Sequence, residues 1–274
     1  MHTIFYFSGT GNTWLMADHI NAKLNEQGIE SKCYSIETLT EEESNKLIND
    51  SEHLIIGYPI YGSEAPEPMK RFIENMPKLE SEKTISVFCT QAFFSGDGGS
   101  YLEDTFKAKN YLLRQTREFN LSNNFYVPTF VRAFKVGGQN KINKRKEKAF
   151  KHSDEFIEAI IKEEQLIKTI GFFSGKFARL QRKEVHKHIE KVNDSFSVEE
   201  SCIHCNLCVK LCPMENIYDK EGQITFEDNC AACMRCYQAC PKSAILIMEA
   251  SRNLDKYPRF KGPIEKFDFN TMKK

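Results

Sequence analysis

Over residues 1–165 the hydrophobic pattern switches repeatedly between two periods. Thr3 to Phe7, Leu54 to Tyr58 and Thr84 to Cys89 are continuous apolar, β-rich runs, the pattern of parallel strands buried on both faces. Helical spacing lies between them. Met69, Phe72, Ile73 and Met76 fall at i, i+3, i+4 and i+7, with Pro66 suited to the first turn and Pro77 to the stop. A helix is predicted from Asn12 to about Gln27, and Ser100 with Glu103 predicts a capping box opening a helix that runs to about Phe119. A charged helix carries Ala149, Phe156, Ile157, Ile160 and Ile161 on one face. With Ser31 to Ile36 and Phe125 to Val131 as further strands, five strands alternate with helices, which predicts an α/β, doubly wound, five-stranded parallel sheet.

Such sheets bind ligands beyond the carboxyl ends of their strands. The loop after the first strand reads SGTGNT: Ser8, Gly9, Thr10, Gly11, Asn12 and Thr13. It is neither the dinucleotide fingerprint G-x-G-x-x-G nor a Walker loop. Three hydroxyls, two glycines and the start of a helix make a phosphate cradle that needs no cationic side chain.

Composition narrows the setting. The chain has 274 residues, enough for one medium domain and a small one, and 38 basic residues balance 38 acidic ones. No charge imbalance favours nucleic acid as a partner. No stretch approaches the ~18 apolar residues of a membrane span, and the N-terminal MHTIFYFSGTGNT lacks the basic region and cleavage site of a signal peptide. A cytoplasmic setting is therefore expected, where clustered cysteines read as metal ligands rather than disulfides.

Eight of the ten cysteines fall in CIHCNLCVKLCP and CAACMRCYQACP. Both read C-x2-C-x2-C-x3-C-P, the run of bacterial ferredoxins, in which the fourth cysteine serves the other cluster. The expected sets are Cys202, Cys205, Cys208 and Cys240 for one [4Fe-4S] cluster, and Cys230, Cys233, Cys236 and Cys212 for a second. Zinc is the rival, since C-x2-C pairs also build tetrahedral sites, but it gives no reason for the third cysteine, the fourth and the proline, all repeated. Cys33 and Cys89 sit in strand patterns and read as buried, inert thiols.

SGTGNT after a first strand resembles the FMN-phosphate loop of flavodoxins. That resemblance implies FMN, with Ser8, Thr10, Asn12 and Thr13 as phosphate donors. YPIYG, with Pro59, Tyr61 and Gly62, resembles the flavodoxin second loop and implies Tyr61 as an aromatic on the flavin ring. TQAFFSGDGG, with Thr90, Phe93, Phe94 and Gly96, would be the third loop, with Phe93 or Phe94 as the other wall. The whole chain is similar to the flavodoxin–ferredoxin fusion electron carriers of anaerobes, the EFR-type ferredoxins. The organisation expected is a flavodoxin-like domain at 1–165, a basic linker at 166–196, a small α+β ferredoxin-like two-cluster domain at 197–250 and a tail at 251–274 that packs back on the protein.

The function expected is an electron carrier between redox partner proteins, because a [4Fe-4S] cluster passes single electrons and FMN takes one or two. The alternative is a reductase delivering electrons through FMN to a small molecule, for which the loops offer Tyr58, Tyr61, Glu64, Glu67 and Asp97. KFARLQRKEVHKH, Lys176 to His188, is either a solvated surface or a segment that docks on the acidic cluster domain.

Overall fold

The computed structural model describes residues 1–94, 96–128, 135–167 and 172–273. In chain order its first elements are β1 (His2–Tyr6), α1 (Asn12–Glu26), β2 (Ser31–Ser35), α2 (Glu41–Asp50), β3 (His53–Pro59), α3 (Glu67–Asn75), β4 (Lys83–Gln91), α4 (Glu103–Ala108), β5 (Tyr111–Asn120), α5 (Gln139–Ile161) and α6 (Phe172–Asn193). The five strands form one parallel sheet in the order β2-β1-β3-β4-β5, a flavodoxin-like doubly wound sheet. All seven residues of β3 are buried, as expected of a strand covered on both faces.

Each face has its own core. Met16, Ile20 and Leu24 of α1 and Phe156, Ile157 and Ile160 of α5 cover one face over Ile4, Tyr6 and Ile55. Ile48 of α2, Met69 and Ile73 of α3, and Phe106 of α4 cover the other over Phe5, Leu54, Ile56 and Val87.

Two expectations fail here. The fifth strand is β5, not Phe125 to Val131: residues 125–128 have no regular structure and 129–131 lie outside the described residues. The helix expected from Ser100 to Phe119 is only α4, opened by Leu102 without a side-chain cap, and Ser100 and Glu103 form a turn instead of a capping box. Asn110, at φ 65, is left-handed and stops the helix; Tyr111, Leu113 and Gln115 then point alternately inward along β5. The capping box lies elsewhere, at α2, where Thr40 Oγ1 accepts from Glu43 N–H at 3.2 Å and Glu43 Oε2 accepts from Thr40 N–H at 2.8 Å.

One buried polar chain crosses the sheet. Ser86 Oγ donates to Gln115 Oε1 at 2.7 Å, so it accepts from His53 Nε2–H at 2.6 Å, and His53 Nδ1 accepts from Thr84 Oγ1 at 2.8 Å. This network assigns the neutral Nε2–H tautomer. Burial, and then the nearby His2, pushes the His53 imidazole down to about 3. Below about pH 6.5 the unfolded chain takes a proton that the folded chain refuses until about pH 3, so stability is lost as pH falls through that window. At pH 5 about 2 kcal/mol of the pH 7 stability is lost through this group. Denaturant midpoints at both pH values should show it, and His53→Gln should flatten the slope.

The rest of the chain holds β6 (Phe196–Val198), α7 (Leu207–Leu211), β7 (Ile217–Lys220), β8 (Gln223–Phe226), α8 (Arg235–Ala239) and β9 (Ile245–Ile247). β6 pairs antiparallel with β9 and β7 with β8. From 251 onward the chain crosses back over the sheet domain. Phe267 packs on Trp14 with ring centroids 5.4 Å apart, Phe269 and Met272 pack with Leu211, and Tyr6 Oη donates to the Met272 carbonyl at 3.2 Å.

Candidate cofactor sites

A cavity of about 500 Å³ opens at the carboxyl ends of β1, β3, β4 and β5. Ser8, Gly9, Thr10, Asn12, Thr13, Pro59, Tyr61, Gly62, Thr90, Phe93 and Phe94 all line it. Two of the expected contacts do not. Gly11, at φ 103, faces Pro263 and Phe267 of the returning tail, and Gly96, at φ 61, packs on Ala178. Phe93 is 69% exposed, so its ring stands at the mouth.

The loop is built to receive an anion. α1 starts at Gly11 with no side-chain cap and no acidic residue in its first turn, which leaves the first N–H groups for a ligand. Ser8 Oγ accepts from Gly11 N–H at 3.1 Å, Asn12 Nδ2 donates to the Ser122 carbonyl at 2.9 Å, and Thr13 and Thr90 join hydroxyls at 2.8 Å. Asn124 Nδ2 donates to Thr10 Oγ1. Among the described lining residues there is no lysine or arginine. An FMN phosphate fits this donor set, and the apolar wall of Pro59, Ile60, Ala92, Phe94 and Phe125 suits an aromatic ring system.

Sequence reasoning missed the fourth wall, Ser122 to Phe125, because its strand was misplaced, and it missed Ala232, Gln181, Glu184 and Ile189. The last three come from α6. Arg182 and Gln181 of the stretch 176–188 hold the sheet loops. Arg182 holds Asp97 in a fork at 2.5 and 2.9 Å and the Ser63 carbonyl at 2.9 Å, while Gln181 accepts from Ser63 Oγ at 2.5 Å. Of the groups considered for acid–base work Tyr61 lines the cavity, whereas Tyr58, Glu64, Glu67 and Asp97 do not. Asp97 is paired with Arg182, Glu64 with Lys70, and Tyr58 Oη donates to the Gly98 carbonyl at 2.9 Å. Cys33 and Cys89 line no part of the cavity, and burial pushes the Cys33 thiol up to about 12 and Cys89 well above its ordinary value.

The two cysteine repeats share one backbone plan. His204, Asn206 and Glu215 have φ of 51, 55 and 52, and Ala232, Met234 and Ser243 have 50, 62 and 53, at matching offsets from the first cysteine of each repeat. Left-handed turns of this kind form concavities whose N–H groups face anions, as around iron–sulfur clusters. The fourth cysteine of each repeat accepts from the N–H four residues on: Asn216 to Cys212 Sγ at 3.3 Å and Ala244 to Cys240 Sγ at 3.2 Å.

Cys202, Cys205, Cys208 and Cys240 line one small void with Pro241. Burial first, then the charges of neighbouring groups including Cys240 and Cys202, raises Cys208 to about 11; burial, then Cys233, Cys230, Cys212 and Cys208, raises Cys236 well above its ordinary value. Among the described residues no three ligating side chains close on a single metal-ion position. Four thiols ringing a volume suit a cube better than an ion.

One side chain ties these sites together. Arg235, between Cys233 and Cys236, is fully buried. Its Nη1 and Nη2 fork onto Glu37 at 2.8 and 2.7 Å, and the remaining N–H groups reach the carbonyls of Leu211 at 2.9 Å, Ser8 at 2.7 Å and Gly9 at 3.2 Å. All five donors of the guanidinium are used.

Fold and sites together define a flavodoxin-type domain joined to an iron–sulfur domain. Residues 4–114 match the family model described as flavodoxin, and residues 201–245 match the one described as 4Fe-4S dicluster domain. The chain thus carries the two domains of a flavodoxin–ferredoxin fusion, and they give it an electron-transfer role with FMN and iron–sulfur clusters as cofactors. No curated protein matches it. Similar solved structures include the two-electron reduced flavodoxin of Megasphaera elsdenii, at 22% identity and TM-score 0.38 over 43% of this chain and 85% of that one. Flavodoxin 2 of Bacillus cereus matches at 19% identity and TM-score 0.41 over 57% and 97%. The rubredoxin:oxygen oxidoreductase of the anaerobe Desulfovibrio gigas matches at 14% identity and TM-score 0.40 over 58% of this chain and 37% of that one. Among the described residues no helix is long and apolar enough to cross a membrane.

Proposed function

We propose that the chain relays electrons between partner proteins through two [4Fe-4S] clusters, held by Cys202, Cys205, Cys208 and Cys240 and by Cys230, Cys233, Cys236 and Cys212, and through FMN in the 500 Å³ cavity. The observation that carries this reading is a shared wall. Ala232 of the second repeat lines the same cavity as Ser8, Thr10 and Tyr61, and the Cys233 carbonyl lies against Gly9. The first set faces outward, with Cys205 exposed and Ile203 54% exposed. The order that follows is partner, first cluster, second cluster, flavin. Bound there, FMN supplies one- and two-electron chemistry and the clusters one-electron chemistry.

Anaerobic reconstitution tests the reading by counting cofactors. About eight irons and one FMN per chain are expected; four irons, or iron without FMN, would overturn it. Thr10→Ala with Asn12→Ala removes two side chains that brace the cradle, and should raise the FMN dissociation constant about 10- to 100-fold with iron per chain unchanged.

The reductase reading is favoured by one observation: α6 lays Gln181, Glu184 and Ile189 along the cavity, which narrows the approach of a protein partner to that side. Oxidation of the reduced protein by a small quinone, faster than oxidation of free reduced FMN, supports it. Equal rates sink it.

A further inference from the structure

The hydroxyl of Tyr61 is buried and has no hydrogen-bond partner among the described residues. A buried donor left unpaired is unfavourable, and natural folds rarely keep one without an unseen acceptor. Two surfaces meet at this oxygen. On one side Tyr61 lines the flavin cavity. On the other it faces the second cysteine repeat: a Cβ on Gly9 would collide with the Tyr61 hydroxyl and come within 2.8 Å of the Cys233 carbonyl oxygen, so hydroxyl and repeat touch the same point of the loop. The Cys233 side chain is buried in the same apolar cluster as the Tyr61 ring, and Arg235 fixes that repeat to the Ser8 and Gly9 carbonyls.

The repeat that approaches the hydroxyl carries Cys233 and, three residues before it, Cys230, whose sulfurs a cluster would gather, while the Cys233 carbonyl nearby accepts no bond from the phenol. We propose that Tyr61 Oη–H donates a hydrogen bond to a sulfur of the second cluster, so that Tyr61 is a positioning residue spanning from that cluster to the flavin cavity. This rests on the reading of two clusters and one FMN. Its consequence is directional. A donor to cluster sulfur stabilises the more negative, reduced state and raises the reduction potential, which makes the cluster beside the flavin easier to reduce than it would be without the phenol.

Counting irons and FMN on the wild-type protein comes first, so that a failure of the underlying reading is seen separately. Loaded, full-length Tyr61→Phe is then titrated anaerobically with EPR detection beside wild type. The expected result is a lower midpoint for one cluster, the one absent from Cys212→Ala, with the other midpoint unchanged. Should the phenylalanine variant lose iron, Tyr61→Met also lacks the donor and gives the same comparison. Unchanged midpoints overturn the proposal. So does weaker FMN binding with both midpoints unchanged, which would give the hydroxyl to the flavin, and so does an equal fall in both clusters, which would deny the local contact.

Discussion

Cys240→Ala is expected to remove the first cluster and spare the second, although Cys240 belongs to the second repeat. The Cys240 thiol lines the void shared by Cys202, Cys205 and Cys208, while Cys212 of the first repeat contributes to the electrostatic surroundings of Cys230, Cys233 and Cys236. Iron should fall from about eight to about four per chain, and the lost EPR signal should be the one that survives in Cys212→Ala. The reciprocal variant is the sharper half of the test, because Cys212 belongs to the set beside the flavin cavity. Loss of the same signal from both variants would overturn the exchanged assignment.

Arg235→Leu is expected to be the most damaging single change away from the cysteines. It removes all five hydrogen bonds of the guanidinium and leaves the Glu37 carboxylate, nearly buried, without its cation. Breaking a buried pair by deleting one partner costs about 3–5 kcal/mol, a large share of the roughly 5–15 kcal/mol that holds a domain. The damage should appear in two places at once, as a lower denaturation midpoint and as weaker FMN retention, because the Ser8 and Gly9 carbonyls lose their anchor. Arg235→Leu with Glu37→Leu should recover part of the stability by removing the carboxylate that lost its guanidinium, but little of the FMN affinity. A loss below about 1 kcal/mol in the single variant would mean that water replaces the guanidinium.

The legible part of this protein was the part with local signatures. Three of the five strands are continuous apolar runs, and the cysteine spacing carries its own pairing rule. Leu112 to Phe119 satisfied helical and strand periods together, and only the left-handed Asn110 settles which one the chain follows. Thr40 and Glu43 carried a capping-box signature that was passed over. What no local pattern encodes is the seating of α6. The Arg182–Asp97 fork joins residues 85 apart, and an excess of basic residues along a helix does not say which carboxylate each will meet. The fourth cavity wall was lost with the fifth strand, since Ser122 to Phe125 can be recognised as a strand-end loop only when β5 is placed before it.

Tyr6 and Met272 are joined across 266 positions, and Gly11 is pressed by Pro263 and Phe267. During synthesis the sheet domain can gather as it emerges, since domains generally fold as units from the N-terminus, yet the outer buttress of its first loop leaves the ribosome more than 240 residues later. A nascent chain that has finished its sheet therefore still holds an unbraced phosphate loop. The buttress of that loop, residues 263–267, is made only after both cysteine repeats.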